Sequence, residues 1–363
     1  MWAPGNPGSV NRVSEEIEAG HKSLVDWSLA ATTGAFLVKG GPAVPREEAE
    51  QVVTELRELT MVAEGHVREL TGLGAGLPLL PGEVVDRPGW VRSAASGLDA
   101  LTRKALPRTQ GGPLGPLLAG SAGVQTGLVL SFLASRVLGQ YDPFGGPEEA
   151  GQLVLVAPNV VAAQQAMKVS GPDFRLWVCL HECTHRLQFT AVGWLRDYFA
   201  DEVERLIGGL ADTDAEGLAE IFGRLPDTIK EARKEKSLGL ADVLQSPQQR
   251  EILHRLLALS TLLEGHADYV MDAVGPAVVP SVETIRSRFT ERRKGGGLFD
   301  RLLRSLLGVE AKMRQYAEGA AFTRHVIDTV GMTGFNAVWT SPNTLPTRSE
   351  ISDPASWVRR VHK

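Results

Sequence analysis

Leu176-Trp177-Val178-Cys179-Leu180-His181-Glu182-Cys183-Thr184-His185-Arg186-Leu187-Gln188-Phe189 is the stretch on which the reading of this sequence turns. No proline interrupts the chain from Asp173 to about Tyr198, and Pro172 with Asp173 marks a helix start. The stretch is therefore predicted to lie on a largely buried helix. Residues four apart on a helix share one face about a turn apart, so the imidazoles of His181 and His185 can converge on one cation. Glu182 is turned about 100 degrees from His181, which leaves its carboxylate beside the cation rather than on it. A zinc ion with an open position lowers the pKa of bound water to about 7, and a neighbouring carboxylate can take the proton as that water attacks a carbonyl. The pattern points to hydrolysis with Zn2+ as cofactor, Glu182 as general base and a peptide or protein as substrate.

Such a site needs a third protein ligand. Metzincins are excluded, because their pattern requires Gly and His where Gln188 and Ala191 stand. The favoured candidate is Glu264 in Leu263-Glu264-Gly265-His266-Ala267-Asp268. Asp268 follows one turn later on the same helical face and is expected to hydrogen-bond a ligating imidazole, as metal-bound histidines require. This Glu-x-x-x-Asp arrangement resembles the third-ligand helix of the gluzincins. His266 is a rival that points about 200 degrees away from Glu264 on a regular helix. Glu204 is another. On an unbroken helix it would lie about 28 Å from His185 at about 1.5 Å per residue, so it would need a turn near Gly193. Cys179 and Cys183 project from the opposite face of the motif helix and read as core. Tyr316 and His325 are weaker candidates for stabilising an oxyanion.

The rest of the chain sets limits. Its 363 residues are 43% hydrophobic and 22% charged, ordinary globular usage. A net charge of -5 gives no electrostatic reason to expect nucleic acid or an anionic membrane as partner. With two cysteines no disulfide framework can be drawn, and Met1-Trp2-Ala3-Pro4-Gly5 does not open like a secretory signal. Cytoplasmic location is the expectation. Residues 109 to 135 carry no charge and place Gly115, Ala119, Gly123, Gly127, Ser131 and Ser135 at four-residue spacing. In a bilayer this would be a helix-dimer stripe, but Gln125, Thr126, Pro113 and Pro116 favour a buried soluble helix.

The coarse pattern is mainly helical. Residues 45 to 73 form an amphipathic helix entered at Pro45-Arg46-Glu47-Glu48 and left at Gly72. The uncharged segment predicts a helix over about 116 to 138, and Leu153-Val154-Leu155-Val156 predicts a strand. Ser246-Pro247-Gln248-Gln249 opens a helix running to about Met271. Residues 286 to 304, rich in Arg and Lys around Gly295-Gly296-Gly297, read as a solvated loop. The tail after Gly331 is expected to wrap the surface with Trp339 and Trp357 as anchors.

The chain resembles a bacterial zincin-like family of zinc-dependent metalloproteases, associated with deazaflavin-coenzyme biosynthesis. The likeness is carried by Asp86-Arg87-Pro88-Gly89-Trp90, Val137 through Asp142, Trp177 through Phe189, Leu263 through Gly275, Lys312 through Phe322 and Asn336 through Pro346. It implies a zincin-like α+β core in a mainly α protein with a small β element, His181 and His185 as ligands, and Glu182 as acid-base. The long interval from His185 to Glu264 departs from ordinary gluzincins. One unit over 1–363 is expected, divisible into a helical part (1–150), a metal-site core (151–340) and a tail (341–363). The competing reading is a non-proteolytic scaffold or regulatory protein that keeps the same zinc.

Overall fold

The computed structural model of the protein describes residues 21–22, 25–103, 109–110, 115–147, 151–211, 246–294 and 312–363. In chain order these form β1 (His21–Lys22), α1 (Trp27–Leu37), α2 (Arg46–Thr71), β2 (Glu83–Val85), α3 (Arg87–Thr102), β3 (Thr109–Gln110), α4 (Gly115–Ala134), β4 (Gly139–Asp142) and β5 (Gln152–Val156). There follow α5 (Ala157–Met167), α6 (Gly171–Ala191), α7 (Leu195–Ala211), α8 (Pro247–Ala273), α9 (Val282–Lys294) and α10 (Lys312–Phe335). Two short 3-10 turns lead to α11 (Arg348–Ser352) and α12 (Pro354–Val361).

A small sheet organises the first half. Its strand order is β2-β5-β4, with β2 parallel and β4 antiparallel to β5. Successive side chains of a strand point to opposite faces, and β5 uses both. Leu153 and Leu155 join a core cluster with Leu56, Phe174, Trp177 and Leu180 from α2 and α6. Val154 and Val156 face the other way, onto Trp90, Val91, Ala94 and Leu130 from α3 and α4. Burial on both faces is why the run is continuously apolar rather than alternating. The short β2 and β4 carry no such run and so give no strand signal in the sequence.

The helix expected in the uncharged segment is α4, ending at Ala134 rather than near 138, and its glycines pack against α1. A Cβ on Gly127 would come 2.7 Å from the Ala30 carbonyl oxygen, and one on Gly123 would come 2.6 Å from that of Asp26. Among the described residues no helix is long and apolar enough to cross a membrane.

Helix α2 keeps its expected ends, with Glu47 and Glu48 in the first turn and Gly72 left-handed at φ 72°, its N–H bonded to the Arg68 carbonyl. Helix α8 starts as read, the Ser246 hydroxyl accepting from the Gln249 N–H at 3.1 Å. The motif lies on α6, which stops at Ala191, and α7 begins at Leu195. One expectation is corrected. The basic stretch expected to be loop from 286 is helical through Lys294 in α9; its remainder to 304 lies outside the described residues.

A further cluster joins α8, α10 and the C-terminal elements through Leu259, Leu262, Phe322, Phe335, Trp339 and Trp357. Both anchoring tryptophans are buried, and Trp357 donates its indole N–H to the Thr344 carbonyl at 2.8 Å. Helices α8 and α10 touch backbone to backbone: a Cβ on Gly265 would lie 2.1 Å from the Gly319 carbonyl carbon. That contact sets the position of the residue beside it, Glu264.

Candidate metal centre

Helix α6 presents His181 and His185 one turn apart toward α8. Their rings stand edge to face at 88° with centroids 4.6 Å apart, and their Nε2 atoms are 3.1 Å apart. From α8, Glu264 brings Oε2 to 3.6 Å from His181 Nε2 and Oε1 to 3.8 Å from His185 Nε2. Donor atoms of all three lie within 4.8 Å of one another. Tetrahedral ligands about 2.0–2.1 Å from zinc stand about 3.3 Å apart, so the observed separations bracket those that a shared ion requires. Two imidazoles and one carboxylate also form the donor set of a catalytic zinc with its fourth position open. The residues fit the ion.

Glu182 lies beside this triangle, buried at 6% exposure. Burial pushes its carboxyl well above the usual carboxylate range, and the charge of Glu264 adds to the shift. The first residue of β4 presses on it: a Cβ on Gly139 would stand 2.7 to 2.9 Å from Glu182 Cγ, Cδ and Oε1.

The outer nitrogens of the two imidazoles meet unlike partners. His185 Nδ1 is 2.9 Å from Gln188 Oε1, whereas His181 Nδ1 is 3.2 Å from the Met271 sulfur. Asp268 has a different partner from the one expected. Its Oδ1 accepts from Arg286 at 3.2 Å, and Arg286 also reaches Asp272 at 2.8 Å and lies over the Trp177 ring. The side chain beside a histidine of the motif is instead Gln188, at His185. The signal for this was present in the sequence, since Gln188 is one helical turn beyond His185 on the same face.

The rivals stand elsewhere. Helix α7 does turn off after Val192–Trp194, but Glu204 is exposed, in a surface cleft with Asp201 and Arg205. The buried acid of that helix is Glu202, paired with Arg205 and Arg255. His266 is fully buried against the rings of Phe335 and Trp339, and burial holds its pKa down to about 3, with His185 contributing. Cys179 and Cys183 are buried, and burial pushes the Cys183 thiol up to about 12. His325 is exposed on α10, and the Tyr316 side chain lies outside the described residues.

Behind the motif, Glu64 of α2 is buried and pairs with both Arg68 and Arg186. Arg186 donates to the Leu80 carbonyl at 2.7 Å, and Arg68 to the Leu77 carbonyl at 2.6 Å. This ties the loop between α2 and β2 to the wall carrying the histidines. Asp173, in the first turn of α6, accepts from the Ser281 N–H at 2.9 Å and so fixes the other end of that helix.

The chain belongs to the zincin-like metallopeptidase family, whose model matches residues 25–358. Among solved structures it is similar to a protein from Chloroflexus aurantiacus provisionally assigned as a hydrolase with a novel fold. The two share 27% identity and superpose with a TM-score of 0.66, over 93% of this chain and 99% of that one. No curated protein sequence matches the chain.

Proposed function

We propose that the protein is a zinc-dependent hydrolase that cleaves peptide bonds. The convergence of His181, His185 and Glu264, with the Glu182 carboxyl alongside, carries the reading. Zinc held by these donors would supply Lewis acidity, acidifying a water and polarising the scissile carbonyl. The chain supplies the proton handling. Glu182 takes a proton from the attacking water and returns it to the leaving nitrogen. Burial raises the Glu182 carboxyl above the usual carboxylate range, which favours its uptake and return of that proton. Strand β4 is an edge of the sheet and passes Gly139 against that carboxyl. Among the described residues β4 pairs only with β5, and an extended chain added along its other side would make main-chain hydrogen bonds next to the site.

The test is a broad peptide-library digest with zinc-loaded wild-type protein and Glu182→Gln. Cleavage by the wild type, reduced about 100-fold or more in the variant with zinc retained, is expected. A fully loaded wild type that cleaves nothing would instead support a zinc-binding scaffold.

A further inference from the structure

The side-chain amide of Gln188 can point only one way. Its nitrogen is 3.0 Å from the Leu263 carbonyl oxygen, a group that only accepts, and 3.1 Å from His266 Nδ1. Gln188 is itself fully buried. An amide carries two N–H donors at one end and an acceptor oxygen at the other, so both donors are used on α8. The oxygen is then left facing His185 Nδ1 at 2.9 Å. An acceptor there requires Nδ1 of His185 to carry the ring proton, which leaves the lone pair on Nε2.

We infer that Gln188 is the positioning residue that holds His185 in its metal-binding tautomer, with the Leu263 carbonyl and His266 holding Gln188 in turn. The inference rests on the metal reading above. It gives His266, a rejected ligand, a task one step removed: its Nδ1 accepts the second amide proton, and Phe335 and Trp339 fix its ring. The two ligands differ in consequence. His181 Nδ1 faces the Met271 thioether, a weak acceptor.

The direct test is 15N–1H correlation of the imidazoles in full-length protein at about pH 9, where ordinary rings with a pKa of about 6.5 are neutral. His185 is expected to be protonated at Nδ1 with and without zinc. A His185 ring protonated at Nε2 in the zinc-free protein overturns the inference, whether or not zinc binds. In parallel, zinc affinity is measured by competition with a chelating dye. Gln188→Leu should weaken it about 10- to 100-fold, and Gln188→Glu, which keeps an acceptor, should recover most of the loss. A folded Gln188→Leu protein that binds zinc within about twofold of wild type also overturns it. A wild type that takes up no zinc contradicts the metal reading instead, and the zinc-free tautomer still decides the role of Gln188.

Discussion

Gly139 and Glu182 stand so close that any side chain on the first would displace the second, a Cβ falling 2.8 Å from the carboxyl carbon. Substituting Gly139→Ala therefore probes the acid without touching a metal donor. Peptide hydrolysis should fall about tenfold or more, since a misplacement of about 1 Å can cost about 100-fold. Zinc affinity should stay within about twofold. Wild-type turnover in the variant would mean that the position of Glu182 does not govern the chemistry.

The contact between α8 and α10 predicts a contrast between two glycines. Gly265→Ala would drive a Cβ into the Gly319 backbone, and overpacking of this kind costs about 1–3 kcal/mol or more. Because Glu264 is the adjacent residue, zinc binding should weaken together with the melting temperature. Gly65 is exposed in the interior of α2, with nothing within 4 Å of an added Cβ. Gly65→Ala should stabilise the protein by about 0.5–1 kcal/mol. Thermal melts of the two variants check both signs.

The tail carries a pH dependence of its own. Burial alone would raise the pKa of Glu350, but hydrogen bonds from Arg360, at 2.6 and 3.0 Å, and from Thr347 outweigh it and hold the carboxyl below its usual value. A carboxyl with a lowered folded pKa contributes stability above its unfolded value of about 4.3 and loses it as pH falls through the folded one. Glu350→Gln should therefore melt a few degrees below wild type at neutral pH. The gap should close as acid protonates the wild-type residue. A gap that is constant from neutral pH down to about pH 2 would contradict the assignment.

Much of this site could be read from residue spacing because it is built on helices. Two histidines four apart must share a face, and the helical angle shows that Glu264 and His266 cannot both reach one ion, though not which of them does. Ends were legible where a chemical cap marks them, as at Gly72 and Ser246. Partners supplied by tertiary packing were not. Asp268 had the spacing to serve an imidazole, yet Arg286 from α9, invisible as a neighbour in sequence, engages it. Glycines with no local turn signal, such as Gly139 and Gly265, are explained only by the backbone or carboxyl packed against them. Strands β2 and β4 are too short for a period-2 pattern to show.

The most direct measurement is equilibrium zinc binding to metal-free wild-type protein and to Glu264→Ala, with metal content determined after dialysis. The account predicts one zinc per wild-type chain and a marked loss of affinity when the carboxylate from α8 is removed. A wild type that retains no zinc, or a Glu264→Ala protein that holds it equally tightly, would contradict the claim that these two helices together form the centre.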